Sequence, residues 1–291
     1  MLSLEDSYAY AEKVARKEAK NFYYTFLFLP PEKRRSLYAV YTYSRRVDDA
    51  VDSVEELGTS PEKAAADLAF LERLLDPDPP EDPLSPALSD SLARFSIPRE
   101  HFDELIAGMR MDLDQKRYET FDDLYRYCYR AASVVGLICI EVFGYDGDEA
   151  EKPAEELGIA MQLTNIIRDV AEDLDRGRIY LPQEDLRRFE VSEDNLQKRV
   201  VDQRFRDLIR FQLERARDYF ERAEALFPMV HAESRYCPVL LKRFYSRILD
   251  RIEKRNYDVL SRRPRLPLYE KLRLAAGTWL ESRKNRAKVG T

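Results

Sequence analysis

Hydrophobic positions recur at three- and four-residue spacing along most of this chain, the period of one helix face. Pro30–Pro31 followed by Glu32 reads as a helix start, and Leu37, Val40, Tyr41, Ser44, Val47, Asp48, Val51 and Asp52 keep the period until Gly58. Pro61 to Leu75 predicts a second helix, stopped by the proline-rich loop Asp76–Pro86, and Pro98 starts a third that carries Met109 and Met111. Phe121 to Val142 predicts one strongly apolar helix, turned at Gly144–Gly147. Another begins near Lys152–Glu156, carries Ile159, Leu163, Ile166, Ile167, Val170 and Leu174, and stops at Gly177 with Pro182 beyond it. Ser192–Leu226 and Val239–Leu260 read as two more long helices, and a short one follows Pro267. No heptad is sustained and no segment repeats. The pattern predicts an all-α globular bundle, a single domain over residues 1–291.

Composition removes several function classes. Only 9 of 291 residues are Gly, and none fall as G-x-G-x-x-G or G-x-x-x-x-G-K-[ST], so the glycine loops that cradle dinucleotides and nucleotide phosphates are missing. With 48 basic against 54 acidic residues the net charge is −6, which makes the chain a poor candidate for sequence-independent nucleic-acid binding, since that rests on phosphate neutralisation. Cys128, Cys139 and Cys237 are scattered, and His101 and His231 are the only histidines, which excludes most zinc sites. Cys128 and Cys139 read as core thiols, His101 and His231 as surface or loop residues. Met1 to Lys20 is charged throughout and lacks the apolar region of a signal peptide. The longest apolar stretch, Val134 to Ile140, falls short of the ~20 residues a membrane span needs. The expected setting is cytoplasmic, with any membrane contact peripheral.

Two acidic clusters carry the candidate chemistry: Arg45-Arg46-Val47-Asp48-Asp49-Ala50-Val51-Asp52, and Asn165-Ile166-Ile167-Arg168-Asp169-Val170-Ala171-Glu172-Asp173. Residues four apart share a helix face, so Asp48 projects with Asp52, and Asn165 with Asp169 and Asp173. That spacing alone carries little weight, because Asp78 and Asp82 repeat it in the proline loop, where both read as solvated. Setting separates the other pairs: their helices are apolar on the remaining faces, and a carboxylate abutting apolar surface is costly unless a cation accompanies it. Carboxylate and carboxamide oxygens beside guanidinium suit Mg²⁺ bridging a phosphate. The bland alternative for Arg45 is an i,i+4 ion pair with Asp49. Two such clusters facing each other would hold a diphosphate, and ionising an allylic diphosphate requires an aromatic, water-excluding cavity. The chain has 18 Tyr and 14 Phe, many near the clusters.

These residues also resemble a known family, the squalene/phytoene synthases, from about Lys17 to Tyr257. The matching stretches are Asn21-Phe22-Tyr23-Tyr24 with Leu29-Pro30; Tyr41-x-Tyr43-x-Arg45-x-Val47-Asp48-Asp49-x-x-Asp52; Gly108-Met109-x-Met111-Asp112-x-Asp114; and Tyr127-Cys128-Tyr129-Arg130-Ala131-Ala132-Ser133-Val134-Val135-Gly136-Leu137. The most specific runs from Gln162-Leu163-Thr164-Asn165 through Asp169 and Asp173 to Gly177-Arg178-Ile179-Tyr180-Leu181-Pro182. The resemblance implies an isoprenoid-synthase fold and a head-to-head joining of two prenyl diphosphates. Asp48 and Asp52 would bind Mg²⁺ at one diphosphate, and Asn165, Asp169 and Asp173 at the other, with two or three ions in all. Tyr41, Arg45, Gln162, Arg168 and Tyr245 would contact diphosphate or prenyl chain. Glu18, Ala19, Lys20 and Asn21 would close over a diphosphate; Ala19 and Asn21 depart from the family's Ser-x-Ser pattern, although Asn21 keeps a hydrogen-bond donor. Released diphosphate, or a tyrosine such as Tyr129, would take the proton lost in closing a cyclopropyl ring.

Asn21–Pro30 and Gly136–Tyr145 look most like the bacterial presqualene diphosphate synthases of hopanoid pathways, which join two farnesyl diphosphates. The alternatives are a phytoene synthase joining two geranylgeranyl diphosphates, a squalene synthase that goes on to use NADPH, or an inactive helical scaffold.

Overall fold

A computed structural model describes residues 2–18, 22–56, 58–147 and 149–289. Helices build it, and no strand forms among the described residues. The first half holds α1 (Leu4–Glu18), α2 (Phe22–Phe26), α3 (Pro31–Glu56), α4 (Pro61–Arg73), α5 (Ser85–Phe95), α6 (Arg99–Asp114), α7 (Phe121–Cys128) and α8 (Val134–Phe143). The second holds α9 (Glu151–Asp175), α10 (Gln183–Arg188), α11 (Glu193–Gln197), α12 (Gln203–Arg222), α13 (Leu226–Met229), α14 (Tyr236–Lys254) and α15 (Leu268–Val289).

Local chemistry sets the boundaries. Pro61 opens α4 behind Ser60, whose side chain accepts from the Lys63 backbone N–H. Thr120 and Asp123 form a reciprocal capping box at the start of α7. One continuous hydrophobic core runs from Tyr8 to Ala275, as a single domain requires. Within it α3 packs on α1, α4, α5, α6 and α8, while α9 packs on α8, α12 and α14. The space between α3 and α9 is a cavity of about 680 Å³.

Two of the expected long helices are interrupted. Between α7 and α8 the chain makes a π-helical turn, Tyr129–Ser133. Both α6 and α9 approach this turn through glycine: a side chain on Gly108 would meet Arg130 Cβ at 2.7 Å, and one on Gly158 would meet the Ser133 backbone N at 2.8 Å. The stretch from Ser192 likewise ends after α11, and Asp202 restarts it as α12 by accepting from the Phe205 N–H. The proline loop also holds a surprise. Asp78 is exposed, as expected of a solvated residue, but the Asp82 side chain is only 10% exposed and accepts two hydrogen bonds from Arg46, at 2.7 and 3.0 Å. Arg46 therefore points away from the acidic cluster and ties α3 to the loop.

Candidate active site

Helical period and neighbouring apolar residues bring both clusters to the same cavity. Along α3, Tyr41, Ser44, Arg45, Asp48 and Asp52 line it, while Tyr38, Tyr43 and Val47 turn into the core. Along α9 the lining comprises Gln162, Asn165, Arg168, Asp169, Glu172 and Asp173, with Ile166 between them and Leu163 and Ile167 buried behind. Glu18, at the end of α1, and Tyr245 of α14 complete the expected set at the wall. Ala19, Lys20 and Asn21 lie outside the described residues.

Tyr129 does not reach the cavity. Two residues apart on a helical turn point about 200° apart, and it is Tyr127 that lines the wall, whereas Tyr129 lies among Glu155, Glu104 and Glu151. The Tyr127 hydroxyl donates to Asp112 Oδ2 at 2.9 Å, and the Tyr180 hydroxyl donates to Asp112 Oδ1 at 2.9 Å. Arg178, almost fully buried, donates to the Tyr180 hydroxyl at 3.3 Å and approaches Asp52 to 3.8 Å. Asp112, Tyr127, Arg178 and Tyr180 stand within the sequence stretches that resemble the family but had no role attached. Arg263, from the loop between α14 and α15, was missed altogether; only the basic run Arg262-Arg263-Pro264-Arg265 hinted at it.

The electrostatics are lopsided. Seven carboxylates and five arginines line the cavity. Arg45 does pair with Asp49, at 2.5 Å, and also with Asp48, at 3.0 Å. Asp169 is gripped from both sides: Arg168 contacts it at 2.6 and 2.7 Å, and Arg263 at 2.8 and 3.0 Å, with a further Arg263 contact to Glu172 at 2.9 Å. No such grip balances Asp48 or Asp173. Removal from bulk water, then repulsion from Asp52, pushes the Asp48 carboxyl up to about 7. Its side chain is 45% exposed, but onto the cavity. Asp173 is pushed up to about 8 by burial and by Asp169, against the pull of Arg178 and Arg176. Asp112 rises to about 6, again through burial first.

This donor set fits a hard divalent cation. Burial and repulsion from neighbouring carboxylates push Asp48, Asp112 and Asp173 up, and Asn165 Oδ1 is buried with no hydrogen-bond partner, a vacant oxygen ligand of the type Mg²⁺ takes. Among the described residues no three His, Cys, Asp or Glu groups converge tightly enough to hold a metal unaided. A cation here would draw its remaining ligands from phosphate oxygens and water, the usual habit of Mg²⁺. Deeper in, the wall turns apolar, with Leu105, Met109, Val135, Ile140, Phe143 and Leu241. Charged mouth and oily interior together suit a ligand with a phosphate head and a hydrocarbon tail.

A squalene/phytoene synthase family model matches residues 15–270. The chain belongs to the squalene/phytoene synthase family. It is thus one of a family of prenyltransferases acting on prenyl diphosphates. Among its relatives, a 15-cis-phytoene synthase of Synechococcus elongatus is 42% identical over 94% of this chain and 92% of its own length. A second 15-cis-phytoene synthase, from Synechocystis, is 41% identical over 96% and 86%. Among solved structures, a dehydrosqualene synthase in complex with ligand superposes with a TM-score of 0.86 at 33% identity, covering 96% of this chain and 98% of that one. The squalene synthase HpnC from Alicyclobacillus acidocaldarius gives 0.80 at 28% identity, covering 88% and 96%. The family's all-α fold is the one the hydrophobic pattern predicts.

Proposed function

We propose that this squalene/phytoene synthase joins two geranylgeranyl diphosphates head to head to make phytoene. The supporting observation is the identity of 42% and 41% to the 15-cis-phytoene synthases of Synechococcus elongatus and Synechocystis, over 86% or more of each chain. It favours the alternative weighed from the sequence over the presqualene diphosphate product. A farnesyl-using activity is the second reading, favoured by the 33% identical dehydrosqualene synthase structure.

In this reading Asp48 and Asp52 would hold Mg²⁺ at one diphosphate and Asn165, Asp169 and Asp173 would hold it at the other. Mg²⁺ held there would supply Lewis-acid stabilisation of the negative charge that develops on the departing diphosphate. Around them Arg45, Arg168, Arg176, Arg178 and Arg263 supply guanidinium donors matched to phosphate oxygens. The apolar wall orients the prenyl chain and excludes water from the allylic cation, and the faces of Phe26, Tyr41 and Tyr245 offer it π density. Tyr127, which lines the cavity, would take the proton in place of Tyr129, passing its own hydroxyl proton to the Asp112 carboxylate to which it donates. NADPH enters only if a farnesyl-derived intermediate is reduced further. The test is product analysis by mass spectrometry with Mg²⁺ and either the C15 or the C20 diphosphate. A C40 hydrocarbon from the C20 substrate supports the proposal, and a C30 product formed only from the C15 substrate overturns it.

A further inference from the structure

The outer face of α15 is oily. Leu268, Tyr269, Leu272 and Leu280 are 54%, 69%, 49% and 53% exposed, four of the seven large exposed hydrophobics among the described residues. The helix is not misplaced: Glu270, Ala275 and Thr278 are buried on its inner face, and Arg243 of α14 donates to the Thr278 hydroxyl at 2.7 Å. An ordinary surface helix presents polar residues outward, so a leucine stripe there marks an interaction surface.

Positive charge surrounds the stripe. Arg262, Arg265 and Arg273 are exposed beside it. Against the first turn of α15 lies a concavity of about 270 Å³ lined by Arg247, Arg251, Lys254, Arg255 and Arg265, with only Asp250 and Glu270 opposing them. Arg247 pairs with both carboxylates, Glu270 at 3.3 Å and Asp250 at 3.4 Å, and Arg251 also pairs with Glu270, so the five lining cations against two carboxylates leave the hollow a surplus of three positive charges. The Nε of Arg251 is buried with no partner.

We propose that α15 and this basic concavity form a docking surface for an anionic membrane. Lipid phosphates meet the arginine-lined hollow, and Leu268, Tyr269, Leu272 and Leu280 enter the acyl boundary, as an interfacial amphipathic helix does. The net charge of −6 does not oppose this, because acidic groups beyond about 10 Å are screened at moderate salt. Charge also decides against a second copy of the chain. A two-fold contact through this face would set the same cations against each other. Arg263 lines the active-site cavity and Leu268 follows five residues later, a span of at most about 18 Å. A hydrocarbon product leaving the cavity would therefore meet the bilayer nearby; that link rests on the proposed function, the docking does not.

The full chain should co-sediment with phosphatidylcholine vesicles containing phosphatidylglycerol, be released by added salt, and ignore pure phosphatidylcholine. The double variant Leu268→Glu/Leu272→Glu should lower vesicle partitioning about tenfold or more, and Arg265→Glu/Arg273→Glu should do the same. Both should keep the wild-type thermal midpoint and turnover of detergent-dispersed substrate. A second readout needs no variant. The single tryptophan, Trp279, lies in α15, so vesicles with brominated acyl chains should quench it. Equal binding to both vesicle types, binding to neither, unaltered binding by the variants or unquenched Trp279 overturns the proposal. So does a dimer that the leucine variants dissociate while vesicle binding persists.

Discussion

Asp48 and Asp173 both line the cavity, and burial with like-charged neighbours leaves both carboxyls pushed up, to about 7 and about 8, even though Arg45 pairs with Asp48. Asp169, equally acidic in sequence, is instead held between Arg168 and Arg263. The spacing Asn165, Asp169, Asp173 made these residues legible as one face. It could not show which carboxylate had a resident cation, because Arg263 arrives from a loop 94 residues away. Which tyrosine faces the cavity was not legible either, for a simpler reason. Tyr127 and Tyr129 share a motif, and only the orientation of the turn decides which one reaches the cavity. Tyr127→Phe is expected to lower kcat by about 100-fold or more, the usual worth of a positioned proton acceptor, with KM little changed. Tyr129→Phe should stay within about threefold of wild type, since this half-buried side chain does not line the cavity and phenylalanine keeps its ring packed against the core. Steady-state kinetics on the two variants checks this, and equal losses would contradict the assignment.

At the scale of elements, the interrupted helix is the instructive one. Phe121 to Val142 is apolar enough to read as a single helix, yet Tyr129–Ser133 widens into a π turn where α6 and α9 press in through Gly108 and Gly158. Propensity contains no sign of that. The cause is the close approach of two neighbours, and π turns of this kind are frequent at functional sites. Gly158→Ala would drive a methyl group into the Ser133 backbone, which cannot rotate aside, and should cost about 1–3 kcal/mol in urea unfolding. Wild-type stability in that variant would show that the turn yields. A second joint, between the segment before α7 and α11, is polar. Arg117 binds Glu193 at 2.9 and 3.0 Å and holds its carboxyl below the ordinary 4.5. A lowered folded-state value means the pair stabilises the fold above about pH 4.5 and stops doing so as pH falls through that lower value. Glu193→Gln should therefore be less stable than wild type at neutral pH, and the difference should vanish in acid. Its size stays under about 1 kcal/mol, because both side chains are more than a third exposed. Paired urea curves at the two pH values measure it, and a gap that persisted in acid would assign the effect to packing.

The molecule as a whole was the easiest scale to read. Prolines at 31, 61 and 98 and the apolar period between them placed α3, α4 and α6, and the run from Lys152 to Gly177 placed α9. Two acidic helices in one small domain leave few ways to arrange them other than around a shared cavity. What stayed out of reach was set by contacts distant in sequence: the Arg46–Asp82 pair, the Asp112 network and the exposed stripe on α15. Substrate length belongs with these, since side chains from many helices together fix the depth of the cavity. No helix among the described residues is long and apolar enough to cross a membrane. Head-to-head condensation in the cavity between α3 and α9 is tested most directly by mass spectrometry of the products from purified protein with Mg²⁺ and geranylgeranyl diphosphate. The expected product is a C40 hydrocarbon that disappears when the metal is chelated. Folded protein that leaves both this substrate and farnesyl diphosphate unchanged would contradict it.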